Sequence, residues 1–197
     1  MINFNYKNKT FKLNSISKND WIYKCIDDNK SFYELDLLKY IYKIRYFINI
    51  SGTTIIDIGA NIGNHSIFFQ SFVCKNLISI ECNKKIIPVL KLNLENNISN
   101  YILIEDGVGS KNTIGEVYMP NSSTDNIGMA KVKIVSNNSS KAIKIRTVDS
   151  ILKKINGEHQ NIGMIKIDVE GMELDVLEGA KETLIKQHPH LLIEAKD

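Results

Sequence analysis

Residues 53–69 read TTIIDIGANIGNHSIFF: an apolar run that ends in Asp57, a turn carrying Gly59 and Gly63, then an apolar stretch of helical character. A strand that is apolar throughout, without polar alternation, belongs to a sheet covered on both faces. In an open parallel sheet, ligands bind beyond the carboxyl ends of the strands, where strand order reverses. Asp57 and the glycine turn stand at that edge, so one stretch predicts both the fold class and the place of a ligand site.

The same alternation continues outward. Strands are predicted at 76–81 (NLISIE), 101–105 (YILIE), 162–169 (IGMIKIDV) and 190–195 (HLLIEA). Helices are predicted at 63–72, 84–96 and 147–155, and as one unbroken helix over 172–187 with Leu174, Leu177, Ala180 and Leu184 on its packed face. Residues 111–147 interrupt the pattern with β-rich segments joined by Asn, Ser and Gly turns. Ahead of residue 53, alternation over 2–13 predicts two short strands turning near Asn8-Lys9. A helical spacing of Trp21, Ile22, Cys25, Leu35, Leu37, Leu38, Ile41 and Ile44 fills 17–47. The expected architecture is a doubly wound α/β domain, a mostly parallel sheet flanked by helices with core order 3-2-1-4-5. Residues 1–50 form a preface packed on the core, and 51–197 the main domain, ending after the fifth strand. An uncovered outer strand is an aggregation liability. The segment 1–14, the insertion 111–147 or a second subunit is therefore expected to pair with or shield an edge, the last making a homo-oligomer.

Composition removes several function classes. The 197 residues carry a net charge of +3 with acids and bases interspersed, so no dedicated nucleic-acid surface is expected. No apolar run reaches the length of a membrane span, which predicts no membrane partner and a cytoplasmic address. Three cysteines without metal-ligand spacing predict reduced thiols.

The turn chemistry separates two nucleoside cofactors. A dinucleotide fingerprint counted from Gly59 needs glycine where Asn61 and Asn64 stand, which disfavours a nicotinamide dehydrogenase. S-adenosylmethionine has no phosphate; its sulfonium, ammonium and ribose call for carboxylates and carbonyls. Asp57 suits the methionine end, the turn Gly59, Ala60, Asn61 and Gly63 the close backbone approach, and Glu81, closing the second strand, the ribose hydroxyls. A second constellation lies in KIDVEGMELDVLEGA, residues 166–180, where Lys166, Asp168 and Glu170 share one strand face. Three charges on a strand buried on both faces must meet one another or a ligand.

At DIGANIGNHSIFF, SIEC, TVDSIL, IKIDVEGMELDVLEGA and HPHLLIE the sequence resembles the FkbM family of S-adenosylmethionine-dependent methyltransferases, over roughly Phe32 to Glu194. The resemblance implies a Rossmann-like methyltransferase fold, S-adenosylmethionine as cofactor, and O-methylation of a hydroxyl on a sugar, glycan or natural-product acceptor. It places Glu34, in FYELDLL, near the methionine moiety. Cys82 stands after Glu81 where the family usually has proline. By analogy with the same fold, Asp106 is expected near the adenine amine, with Cys82 and Gly107 flanking the nucleoside. Asp168 is the first candidate for the base that deprotonates the acceptor, with Glu170 and His65 behind it. His159, His188 and His190 are expected at the surface. Asp168 and Glu170 without a third ligand do not make a metal site, and none is expected. Tyr118, Asn121 and Asn126 of the insertion are candidates for shaping the acceptor pocket. A protein that keeps the fold without turnover is the remaining alternative.

Overall fold

The structure is a computed structural model and describes residues 1–118, 130–135, 142–155 and 160–194. Asn121, Asn126 and His159 lie outside the described residues. Strands β1 (Ile2–Tyr6) and β2 (Lys9–Leu13) form an antiparallel hairpin. Its two turn residues, Lys7 and Asn8, both have positive φ (46° and 63°), as the twist of a tight two-residue hairpin demands. Helices α1 (Trp21–Asn29) and α2 (Leu35–Ile44) follow, then β3 (Thr54–Ile58), α3 (Asn64–Phe72), β4 (Asn76–Ile80), α4 (Ile87–Asn97) and β5 (Tyr101–Ile104). The interrupting region supplies β6 (Gly107–Val108), β7 (Thr113–Tyr118), β8 (Lys131–Ile134) and β9 (Ala142–Arg146). The chain returns through α5 (Val148–Leu152), β10 (Ile162–Ile167), α6 (Glu173–Glu178), α7 (Lys181–Gln187) and β11 (His190–Ile193).

The central sheet runs β11-β10-β3-β4-β5 with every neighbouring pair parallel. All five residues of β3 and of β4 are buried. Ile55 and Leu77 face the hairpin and helices α1 to α4, whereas Ile56, Ile58, Ile78 and Ile80 face α5, α6 and α7. Burial on both faces is the reason these strands lack polar alternation. β6, β9, β7 and β8 form a second sheet continuous in chain with the end of β5.

Several expectations need correction. The helix over 172–187 is two helices. Gly179 sits so close to Gly109 that a Cβ there would lie 2.1 Å from the Gly109 carbonyl oxygen. Asp149 accepts hydrogen bonds from the Glu182 and Thr183 amides, both at 2.9 Å, capping a new helix start. Leu174 is 79% exposed, whereas Leu177, Ala180 and Leu184 pack on the core as expected, joined by the buried Val176 and Thr183. On α1 the buried residues are Tyr23 and Ile26, while Trp21 is 57% exposed. α4 begins at Ile87, with Pro88 in its first turn in place of a side-chain cap.

Among the described residues, neither 1–14 nor the insertion pairs with an outer strand: the hairpin strands pair with each other and the second sheet within itself. The hairpin instead buries Ile2, Phe4, Phe11 and Leu13 against the helices and is tied to α4 by polar side chains. Asn93 of α4, fully buried, accepts from the Asn14 amide (2.8 Å) and donates to the carbonyls of Asn14 (2.9 Å) and Ile62 (2.8 Å). Asn97 makes the corresponding pair with Lys12. Asn93→Ala should lower the unfolding free energy by about 2–3 kcal/mol, because buried partners are left unpaired. Asn97→Ala, at an exposed pair, should cost less than about 1 kcal/mol on the same scale. Urea unfolding of both variants checks the order.

Candidate functional site

The site is built where β3, β4 and β10 end. The β3 turn is tightly held: the amides of Gly59 and Ala60 both donate to the Ile80 carbonyl at 3.0 Å. Gly59 has φ 79°, and a Cβ there would stand 1.8 Å from the Asp168 carbonyl oxygen. The turn thus lies directly against the end of β10, as only glycine permits. Gly63 (φ 91°) begins α3, where a Cβ would meet Leu90 at 2.9 Å. Asn64 accepts from the Tyr33 amide and donates to the Tyr33 carbonyl, both at 3.0 Å. A glycine at this position would lose that clamp, which is a structural reason for the missing third glycine of a dinucleotide fingerprint.

Asp57 is fully buried and lines no cavity described here. Ser66 donates to its Oδ2 at 2.6 Å and lies 3.0 Å from Ser79. The Lys166 ammonium stands 3.3 Å from Asp57 Oδ1 and 3.3 Å from Asp168 Oδ2. Burial alone would strip the Lys166 proton, but the two carboxylates outweigh it and raise its pKa above the ordinary lysine value. For Asp168, burial pushes upward, and the Lys166 charge with a hydrogen bond from Glu194 reverses that, so its carboxyl titrates below the usual range. The strand-face charges expected at Lys166 and Asp168 do meet one another, with Asp57 as the third member.

Glu81 is buried at the end of β4. Its Oε1 accepts from the Cys82 (2.9 Å) and Asn83 (2.8 Å) amides and its Oε2 from Asn61 (2.9 Å). Burial raises its pKa against these three amides. A carboxylate has about four acceptor positions, so one remains for a ligand hydroxyl. Cys82 lies beside it, its thiol pushed up to about 12 by burial. Asp106 is held by Arg146, a partner the sequence reading missed because it lies 40 residues away across the insertion.

Two cavities meet here. A narrow cleft of about 80 Å³ is lined by Gly59, Glu81, Cys82, Asp106, Gly107 and the apolar Ile80, Ile86, Val108, Val132 and Met172, among others. A cavity of about 350 Å³ is lined by Trp21, Tyr33, Glu34, His65, Lys166 and Glu194, among others. Asn61, Asp168 and Glu170 line both. Of the candidate catalytic residues, Asp168 and Glu170 stand at this junction and His65 in the second cavity. Glu34 is also in the second cavity, its Oε2 3.1 Å from His65 Nε2. Tyr118 lines neither. His188 and His190 are exposed. Among the described residues, the two buried side-chain atoms without a hydrogen bond in line are Asp57 Oδ1 and His65 Nε2. The first faces the Lys166 ammonium at 3.3 Å and the second the Glu34 carboxylate at 3.1 Å.

Glu194 brings its carboxylate within 4.8 Å of those of Asp168 and Glu170. The sequence reading missed it, because a residue just past the last strand reaches the site only once β11 lies beside β10. Exposed acids gather in this way without an ion, and no metal is assigned. No helix among the described residues is long and apolar enough to cross a membrane.

Removing the Lys166 cation should leave the buried Asp57 and the partly exposed Asp168 uncompensated. Lys166→Met is expected to destabilise by about 3–5 kcal/mol at pH 7. The sign follows from Asp168: its depressed pKa contributes stability that is present above the ordinary carboxylate range and lost as pH falls through the folded value. The gap between wild type and variant should therefore be widest near neutrality and narrow toward pH 4, measured as urea midpoints across pH.

The family model described as "Methyltransferase FkbM domain" matches residues 57–197. No curated protein matches the chain. Among solved structures it is similar to an rRNA methylase from Streptococcus thermophilus (17% identity over 36% of this chain and 40% of that one, TM-score 0.31). It is also similar to M. jannaschii TYW2 in complex with AdoMet (21%, 52% and 41%, TM-score 0.34). A third is the precorrin 8W decarboxylase from Methanobacterium thermoautotrophicum (14%, 79% and 63%, TM-score 0.42). The chain spans less than two thirds of the length of each of these structures. With 57–197 covering most of its residues, including the turn, the buried acids and the β10 charges, the chain belongs to the FkbM methyltransferase family.

Proposed function

We propose that the protein is an S-adenosylmethionine-dependent O-methyltransferase acting on a hydroxyl of a small-molecule, sugar or glycan acceptor. The observation that supports this most is the junction of the two cavities at Asn61, Asp168 and Glu170. The cleft has what a nucleoside needs: apolar walls, a buried carboxylate with one acceptor position left, and Asp106 farther along. The second cavity has what a hydroxyl acceptor needs: carboxylates, an imidazole and aromatic walls at Trp21 and Tyr33. The cofactor supplies an activated methyl group when bound. Glu81, Asn61 and Asp106 would hold its nucleoside, and the Asp57-Lys166-Asp168 group would stand toward its methionine end.

The chain's own contribution is positioning and proton removal. In-line displacement needs the acceptor oxygen held against the methyl carbon, and fixed orientation supplies much of the rate. The glycine turn and the buried ion triad hold that junction rigid. An alcohol is a poor nucleophile until its proton leaves, and a base within reach contributes about 10² to 10⁴ in rate. Asp168, Glu170 and His65 are the side chains at hand.

Isothermal titration with S-adenosylmethionine, S-adenosylhomocysteine, NAD and NADP tests the cofactor assignment. The first two should bind and the dinucleotides should not. Glu81→Gln should weaken S-adenosylhomocysteine by about tenfold or more, because a charge-assisted hydrogen bond contributes about 1.5–3 kcal/mol. NAD binding in place of S-adenosylmethionine would overturn the reading. Release of S-adenosylhomocysteine with a panel of methyl glycosides and polyphenols then identifies the acceptor class.

A further inference from the structure

We propose that His65, oriented by Glu34, takes the proton from the acceptor hydroxyl, and that Glu34 is a positioning residue for that imidazole and not a ligand of the methionine moiety. This rests on the methyltransferase reading above and assigns roles inside the second cavity.

The local structure is organised around this pair. Glu34 has φ 55°, a left-handed conformation that side chains other than glycine rarely adopt, and such strain persists only where the surroundings enforce it. It precedes α2 yet makes no side-chain cap to that helix; its carboxylate is turned to His65 instead. What enforces the bend is Asn64, whose side-chain amide clips both the N–H and the C=O of Tyr33 onto the start of α3. One clamp thereby fixes the residue before Glu34 to the residue before His65, and the carboxylate to the imidazole. His65 is 8% exposed and packs against Phe69, ring centroids 5.9 Å apart, so the ring cannot swing freely.

The two nitrogens have different surroundings. Nε2 is buried and lies 3.1 Å from Glu34 Oε2, out of line for a full hydrogen bond, and that carboxylate is the group that favours the proton on this nitrogen. Nδ1 makes no hydrogen bond among the described residues and is not among the buried unpaired atoms, and His65 lines the second cavity, so Nδ1 is the nitrogen assigned to an acceptor there. The charged groups around the ring are Glu34 from the α2 start, Lys166 and Asp168 from the end of β10, and Glu170 and Glu194 on the far wall. Asp168 suits the proton less well: it is engaged by Lys166 at 3.3 Å, and a carboxylate held by a buried ammonium is a weak base.

The step balances as follows. An oxygen lone pair of the acceptor forms the bond to the methyl carbon, and the carbon–sulfur pair leaves with sulfur, which becomes a neutral thioether. The hydroxyl proton passes to Nδ1, and the imidazolium so formed is met by the Glu34 carboxylate.

The test begins without turnover. Nitrogen NMR of the full chain labelled at histidine, with S-adenosylhomocysteine added and His65 assigned by His65→Gln, should show a neutral ring at pH 8 with its proton on Nε2. Glu34→Gln should lose that tautomer preference. With the acceptor returned by the panel, His65→Gln should lower kcat about 100-fold or more while S-adenosylhomocysteine affinity stays within threefold. Glu34→Gln should lower kcat without changing that affinity and displace the acid limb of the pH profile. A doubly protonated ring at pH 8, or turnover by His65→Gln within threefold of wild type, would overturn the assignment and leave the methyltransferase reading standing. Loss of S-adenosylhomocysteine binding in Glu34→Gln would return Glu34 to the cofactor.

Discussion

One buried ammonium holds the active edge of this sheet together. Lys166 sits between Asp57 on β3 and Asp168 just past the end of β10, and these are the two strands whose carboxyl ends form the crevice. Lys166 and Asp57, ionised inside a two-faced sheet, would each incur several kcal/mol of desolvation, so the arrangement survives only if the group keeps its geometry. That requirement propagates. Asp57 must hold Ser66 at the start of α3, Asp168 must present its carbonyl to Gly59, and the glycine turn must lie flat against β10. A hydrophobic trio of the same size would hold the strands as well. It would not place an anionic carboxylate and a strictly oriented turn at the junction of two cavities.

The parts legible in the sequence are those in which a local rule and the tertiary answer agree. Strands 54–58 and 76–80 lacked polar alternation because both faces are covered, and Gly59 was demanded by a close approach that any parallel neighbour would make. The charged face at 166–168 could be anticipated, since a buried strand cannot leave such groups unmet. The illegible parts depend on partners far away in the chain. Nothing near Asn93 announces that it will clip the hairpin end 79 residues earlier, and amide side chains are too common here to be read singly. Helix 172–187 has continuous helical spacing; it breaks because Gly179 abuts Gly109 and Asp149 caps the second half, two contacts made by other segments. Leu174 was counted into the packed face because the break that turns it outward was invisible. Glu194 and Tyr33 joined the site only through strand order and through Asn64.

The same carboxylate chemistry is given distinct states by its surroundings. Glu81 is buried among three backbone amides with no countercharge, and burial raises its pKa. Asp168 is partly exposed beside a buried ammonium, which lowers it. Glu34 is half-exposed and is lowered by the neighbouring imidazole. Environment and not residue type therefore separates three carboxylates: one raised by burial, one lowered by an ammonium and one lowered by an imidazole. It also argues against assigning the proton to the nearest acid by proximity alone.

Backbone strain points to the same place by an independent route. Three of the non-glycine residues with positive φ, Glu34, Asn61 and Glu170, line the second cavity, and Gly59, Gly63 and Gly171 border the site with the same sign of φ. Of the others, Lys7 and Asn8 form a hairpin turn and Lys30 and His188 end helices, where local geometry accounts for them. Each strained position costs on the order of 1–3 kcal/mol, and at Asn61 and Glu34 the surroundings visibly enforce it: the Asn61 amide is drawn to Glu81, and Glu34 is pinned through Tyr33 and Asn64. A sheet of five parallel strands needs neither distortion to fold. They are consistent with a cavity that must present a carboxylate, an imidazole and an open ring nitrogen in one fixed relation before any ligand arrives.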